Sequence, residues 1–141
     1  MREVLENYWH PVEVAKNLSR EPTPINLLGE RLVAYIHEDK PIVFRDLCLH
    51  RGARISGGSV DEKGAIQCPY HGWKFDNGGN CVSIPSMETS KKIPKSWCIK
   101  KFSAKIEYDL LWVNLGENQE PFPTWPSNAW IDENFKVFLV N

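Results

Sequence analysis

The feature that most constrains this 141-residue chain is a pair of short segments, Cys48-Leu49-His50 and Cys68-Pro69-Tyr70-His71, separated by seventeen residues. Each offers one thiolate and one imidazole, and each follows a run that reads as a β-strand. These donors can act together only if the two segments lie side by side, so the fold must bring two loops onto one point. Two sulfurs and two ring nitrogens suit a two-iron, two-sulfide cluster, with Cys48 and Cys68 on one iron and His50 and His71 on the other. The same four side chains also suit a tetrahedral structural zinc, and that alternative stands beside the first.

The flanking sequence is written for strands. Runs at residues 25–28, 31–36 and 41–45, separated by Gly29-Glu30 and by the polar stretch 37–40, predict a hairpin series. Asp61-Glu62-Lys63-Gly64 divides strands at 59–60 and 65–67, and Asn77-Gly78-Gly79-Asn80 divides strands at 74–76 and 81–84, so each pair predicts a hairpin. Further strands are expected at 99–108 and 111–115 with a tight turn near Asp109, while only 12–18 reads as a short helix. The expected fold is therefore all-β, antiparallel sheets and hairpins carrying a subdomain of two ligand loops. Gly52 and Gly72 follow the histidines where a missing side chain lets the backbone approach closely and bring amides toward sulfur.

The net charge of −1 provides no long-range field for nucleic acid or an anionic membrane, and neither is expected as a partner. No run approaches the roughly 20 apolar residues of a membrane-spanning helix, and the N-terminus lacks the apolar core of a signal peptide, which predicts a cytoplasmic protein. In that reducing setting the other two of the four cysteines, Cys81 and Cys98, are expected as small buried groups rather than a disulfide. Tyr70 and Trp73 are expected to pack around the ligands, and Arg51 and Arg54 to be solvated. Lys91, Lys92, Lys95, Lys100 and Lys101 form a local basic cluster, most simply a solvated face and otherwise a surface that steers an acidic redox protein.

Several further stretches resemble one family. Tyr8-Trp9-His10-Pro11-Val12, Leu28-Gly29-Glu30, Cys48-Leu49-His50-Arg51-Gly52-Ala53, Cys68-Pro69-Tyr70-His71-Gly72-Trp73, Ile84-Pro85-Ser86 and Leu111-Trp112-Val113-Asn114-Leu115-Gly116 are similar to landmarks of Rieske proteins. They are most similar to the N-terminal part of the large subunit of Rieske non-haem iron oxygenases, the aromatic-ring hydroxylases and demethylases. The resemblance implies a Rieske-type fold over 1–120, cluster loops at about 46–58 and 67–75, one [2Fe-2S] cluster on Cys48, His50, Cys68 and His71, and a Pro/Trp-rich tail over 121–141 leading toward a catalytic domain. It implies electron transfer from a reductase or ferredoxin to a mononuclear iron on an oxygenase domain or subunit, commonly within a homo-oligomer.

That mononuclear iron needs two His and a carboxylate, and only His10 and His37 remain, far apart in sequence. Oxygen activation is therefore expected outside this chain, which by itself is not expected to oxygenate a substrate. A free-standing Rieske ferredoxin is the second reading; the long segment before Ile25 and the tail after Gly116 exceed what a minimal carrier needs. High-potential Rieske proteins carry an additional disulfide and a serine donor to sulfur where this chain has Ala53, Tyr70 and Trp73. Without them a redox titration should place the midpoint toward the negative end of the Rieske range, roughly −150 to +300 mV; a midpoint near the positive end contradicts that expectation.

Overall fold

The computed structural model describes residues 1–125, a mostly β structure of two antiparallel sheets. In chain order the elements are α1 (Arg2–Glu6), β1 (His10–Val14), β2 (Thr23–Leu27), β3 (Glu30–His37), β4 (Lys40–Arg45), β5 (Ser59–Val60), β6 (Ile66–Gln67), β7 (Lys74–Phe75), β8 (Cys81–Ser83), β9 (Lys101–Glu107) and β10 (Leu110–Asn114). The larger sheet runs β1-β10-β9-β4-β3-β2 and the smaller β5-β6-β7-β8. Among the described residues no helix is long and apolar enough to cross a membrane.

Three two-residue hairpin turns build the larger sheet, and each has both central residues in the left-handed region: Leu28-Gly29, Glu38-Asp39 and Tyr108-Asp109. Turns of this hand match the right-handed twist of the strands they join. The first lies one residue earlier than Gly29-Glu30, because Glu30 already pairs with Leu27. In β3 the run Leu32, Val33, Ala34, Tyr35 is wholly buried, since successive side chains enter two different cores. Leu32 and Ala34 join Val43, Phe102, Leu111 and Val113 inside the curl of the larger sheet, whose edges β1 and β2 approach each other. Val33 and Tyr35, with Ile42 and Phe44 of β4, instead form the floor on which the smaller sheet packs through Ile66, Phe75 and Ile84.

The expected helix over 12–18 is absent. Val12 and Val14 belong to β1, paired with β10 from His10↔Val113 to Val14↔Leu110, and only Ala15–Asn17 makes a 3-10 turn. The open edge of β10 offers a ladder of backbone partners to β-branched residues that gain little from an isolated helical turn. The helix that does form, α1, carries an Arg2–Glu6 ion pair at 2.9 Å and receives the Leu115 amide on the Glu6 carbonyl. The strand expected from residue 99 begins at Lys101, because the Ile99 amide donates to Gly79 and Cys98 bridges to Asn80, which ties these residues to the smaller sheet.

Residues 121–125 lie against the outer face of β9 and β10, where Phe122 contacts Trp9, Tyr108 and Trp112, with the Lys105 ammonium 3.7 Å from its ring centre. The remainder of the expected Pro/Trp-rich tail, including Pro126 and Trp130, lies outside the described residues.

At the exit of β4 a buried carboxylate fixes the first ligand loop. Asp46 accepts the Ser56 amide and the Ser56 hydroxyl, both at 2.7 Å, and so joins the two ends of the excursion that carries Cys48 and His50. Hydrogen bonds to a charged group contribute about 1.5–3 kcal/mol. Asp46→Ala should lower stability by about that amount in denaturant unfolding, and Asp46→Asn should recover only part of it.

Candidate metal centre

The two ligand loops are closed by the same pair of backbone bonds. In the first, the Cys48 amide donates to the Ala53 carbonyl at 2.8 Å and the Gly52 amide donates back to Cys48 at 3.0 Å. In the second, Cys68 donates to Trp73 at 2.8 Å and Gly72 to Cys68 at 3.1 Å. Each return bond needs a left-handed corner, which glycine supplies without strain: φ is +70° at Gly52 and +73° at Gly72. The amides of these two glycines therefore close the loops rather than turn toward sulfur. Gly72 is also confined, since a side chain there would press on the Pro85 ring.

The hairpins beneath share a turn of their own. Asp61 Oδ1 accepts the amides of Lys63 and Ala65, and Asp76 Oδ1 accepts those of Gly78 and Asn80, all at 2.9–3.0 Å. Asp61 also binds Lys74 Nζ at 3.2 Å. Burial works against this carboxylate, but the amides of Ala65 and Lys63 and the Lys74 charge hold it below the ordinary value. With the turns at 61–64 and 76–79 fixed in this way, the loop at 68–73 stands between two anchored hairpins.

The four predicted donors lie on the two clasped loops as a buried thiol pair and a surface imidazole pair. Cys48 and Cys68 are 2% and 1% exposed on the apolar floor, beside Ile55, Phe75 and Cys81. Burial, opposed by the His50 amide and reinforced by Cys68 and Cys81, pushes the Cys48 thiol up to about 11. The imidazoles lie at the surface, with His50 Nδ1 3.0 Å from His71 Nδ1 and the rings edge to face. Partial desolvation, then the facing His71 and the Arg51 charge, hold His50 below its ordinary value and favour the neutral ring that binds metal. Trp73 stacks flat on His50 with centroids 4.9 Å apart, and Tyr70 packs edge-on against His71 at 4.1 Å. Trp73 is buried as expected, whereas Tyr70 is 65% exposed, and Leu47 and Leu49 of the first loop are exposed as well.

The donor set fits a two-iron cluster: a buried thiol pair on one side, an imidazole pair on the other, each pair drawn from both loops. Among the described residues no three His, Cys, Asp or Glu side chains form a site for one metal ion. His10 is bonded to the Leu5 carbonyl and His37 lies beside Glu38, so the two remaining histidines stand apart from the site. Arg51 and Arg54 are solvent-exposed, as expected. Cys81 is buried as expected, but Cys98 is exposed, because its residue bridges the edge of β8 rather than entering the core. The supporting carboxylates Asp46, Asp61 and Asp76 were not singled out from the sequence, although the shared spacing Asp-x-x-Gly in both turns is a visible sign of two of them.

Comparison with known proteins agrees with this geometry. The family described as Rieske [2Fe-2S] domain matches residues 8–102. Methylxanthine N1-demethylase NdmA of Pseudomonas putida is 38% identical over 120 residues, covering 81% of this chain and 34% of the demethylase. Pheophorbide a oxygenase of Arabidopsis thaliana is 40% identical over 121 residues, covering 79% of this chain and 22% of the oxygenase. The solved structure of NdmA superposes with a TM-score of 0.80 at 32% identity over 90% of this chain and 40% of its own. Apo dicamba monooxygenase does so with a TM-score of 0.80 at 29% identity, covering 92% and 40%. The chain thus spans about a third or less of the length of these curated relatives. Such a domain carries a [2Fe-2S] cluster, which displaces the zinc alternative. With its two antiparallel sheets, a family match over residues 8–102 and a fold that superposes on those structures, the chain belongs to the Rieske [2Fe-2S] domain family, in the form found at the N-terminal part of Rieske oxygenases.

Proposed function

We propose that this chain is the electron-transfer part of a Rieske-type oxygenase, and that Cys48 and Cys68 hold one iron of its cluster while His50 and His71 hold the other. The observation that carries this reading is the 3.0 Å approach of the two Nδ1 atoms beside a buried pair of free thiols. When bound, such a cluster takes up and releases one electron at a time. The chain's own residues supply the rest. The clasps of the two loops hold the donors, the apolar floor excludes water from the sulfur side, and the exposed imidazoles bring the nitrogen side to the surface.

The electron would come from a reductase or ferredoxin and leave for a mononuclear iron on an oxygenase domain or subunit. Support comes from the relatives, which are named as demethylases and oxygenases, and from the exposed apolar side chains Leu47, Leu49 and Tyr70 carried on the two ligand loops, which suit contact with protein. We take residues 1–120 as the Rieske unit and 121–141 as the start of a connection. Four free cysteines suit a reducing compartment, and the cytoplasm is the location proposed.

Anaerobic reconstitution should give about two irons and two sulfides per chain and a reduced paramagnetic signal of low average g. Cys68→Ser and His71→Ala should each remove most of the visible absorbance while leaving far-UV dichroism near that of the cluster-free parent. A spectrum untouched by His71→Ala overturns the assignment. In the cluster-free chain near pH 7, a thiol reagent should react rapidly with Cys98 alone. Cys48 stays protonated well above that pH, and Cys48, Cys68 and Cys81 are all buried. Cys98→Ser should abolish the fast phase; rapid labelling of Cys48 contradicts the buried thiol pair.

A further inference from the structure

The rings around the histidines continue beyond the ligand loops. Trp97 stacks on Trp73 with centroids 5.4 Å apart and planes inclined by 13°, and Trp73 in turn stacks on His50 at 4.9 Å and 7°. Three nearly parallel π-systems therefore lead from a proposed iron ligand to an indole that is 40% exposed. The outer ring is fixed in place. The Trp97 amide donates to Pro94, its carbonyl accepts the Cys81 amide at 2.8 Å, and the next residue bridges to Asn80 beside β8. An indole serving only to cover Trp73 gains nothing from being held so firmly at the water boundary.

The charge around this indole is uneven. Residues 88–101 contain five Lys and a single acidic residue, Glu88, in a chain whose net charge is −1. Lys91 pairs with Glu88 at 3.7 Å, Lys101 donates to the Asn77 carbonyl and Lys100 lies over Phe102. Lys92 and Lys95, both exposed, have no ion-pair partner among the described residues. A half-exposed aromatic flanked by unpaired positive charge has the make-up of a docking point for a protein of opposite charge.

We propose that Trp97 and the basic loop around it form the electron-entry port of this domain, docking an acidic one-electron iron–sulfur protein and coupling it to His50 through Trp73. One electron leaves the donor's cluster, which is oxidised, and arrives at the iron held by His50 and His71, which is reduced; both indoles remain neutral and closed-shell throughout. The exposed histidine tip with Tyr70 is then left to a second partner, so that donor and acceptor need not compete for one surface. This inference rests on the function proposed above.

The test uses the reconstituted full chain and a reduced plant-type [2Fe-2S] ferredoxin as the acidic donor, whose potential lies below the Rieske range. Stopped-flow bleaching of the visible band gives the second-order reduction rate. Trp97→Ala should slow it by roughly tenfold or more, the low end of the span seen among mutants of one interface, and Trp97→Phe should restore much of the loss. Lys92→Glu with Lys95→Glu should lower the rate most at low ionic strength and flatten its salt dependence. All these variants should keep the parent's midpoint potential and spectrum. An unchanged rate in Trp97→Ala overturns the port, as does a loss that comes with a shifted midpoint, which marks Trp97 as part of the cluster's packing. Failure of the parent chain to assemble any cluster overturns instead the function on which the port rests.

Discussion

Two thiols that must stay dry and two imidazoles that must reach the surface are held together here by loops with almost no regular structure of their own. What makes this feasible is a backbone clasp used twice, in which a cysteine amide reaches five residues ahead and a glycine amide four residues ahead returns to the cysteine carbonyl. Each clasp satisfies its backbone groups locally, so burying the cysteine leaves no orphaned amide beside the sulfur. The clasps would drift apart without the floor of Val33, Tyr35, Ile42 and Phe44, and that floor exists because β3 and β4 are apolar on both faces. One face closes the larger sheet on itself while the other supports the smaller sheet, so packing in the two cores is coupled through the same two strands.

The two clasps are alike in backbone but not in sequence. The histidine is the third residue of the first loop and the fourth of the second, and this offset lets both Nδ1 atoms face one point. The surroundings divide in the same sense. The sulfur side is lined by Ile55, Phe75 and Cys81, whereas on the nitrogen side Trp73 stacks beneath His50 and the exposed ring of Tyr70 lies against His71. In the assignment proposed above, charge added at the nitrogen side would lie close to solvent and to any docked protein, while Cys48 and Cys68 are insulated by burial.

Much of this was legible in the sequence, and the reasons are specific. The Cys-x-His and Cys-x-x-His segments with their trailing glycines are dense, short-range signals, and the strands around them alternate or end at turn residues, so the hairpins at 59–67 and 74–83 emerged with nearly their observed bounds. What escaped depends on contacts between distant residues. Residues 12–14 are extended because β10 lies beside them, nearly a hundred residues later, and only 15–17 make a 3-10 turn. Cys98 is outside because its residue spans the edge of β8, and Trp97 meets Trp73 only after the chain has turned back from Ile84. The Asp46–Ser56 bond was hidden for another reason: an aspartate at the end of a strand reads as an ordinary turn residue until the second end of its loop is located.

The hairpin tips carry a further consequence. Leu28, Glu38, Asp39, Tyr108 and Asp109 all sit at positive φ, a region that costs a non-glycine residue on the order of 1 kcal/mol. None of the five lies in a ligand loop. The molecule therefore keeps its conformational slack at places remote from its donors, where exchange toward Asn or Gly can harden the scaffold and drift away from them can soften it. Robustness to heat and the affinity for electrons are thereby open to separate adjustment within one small fold.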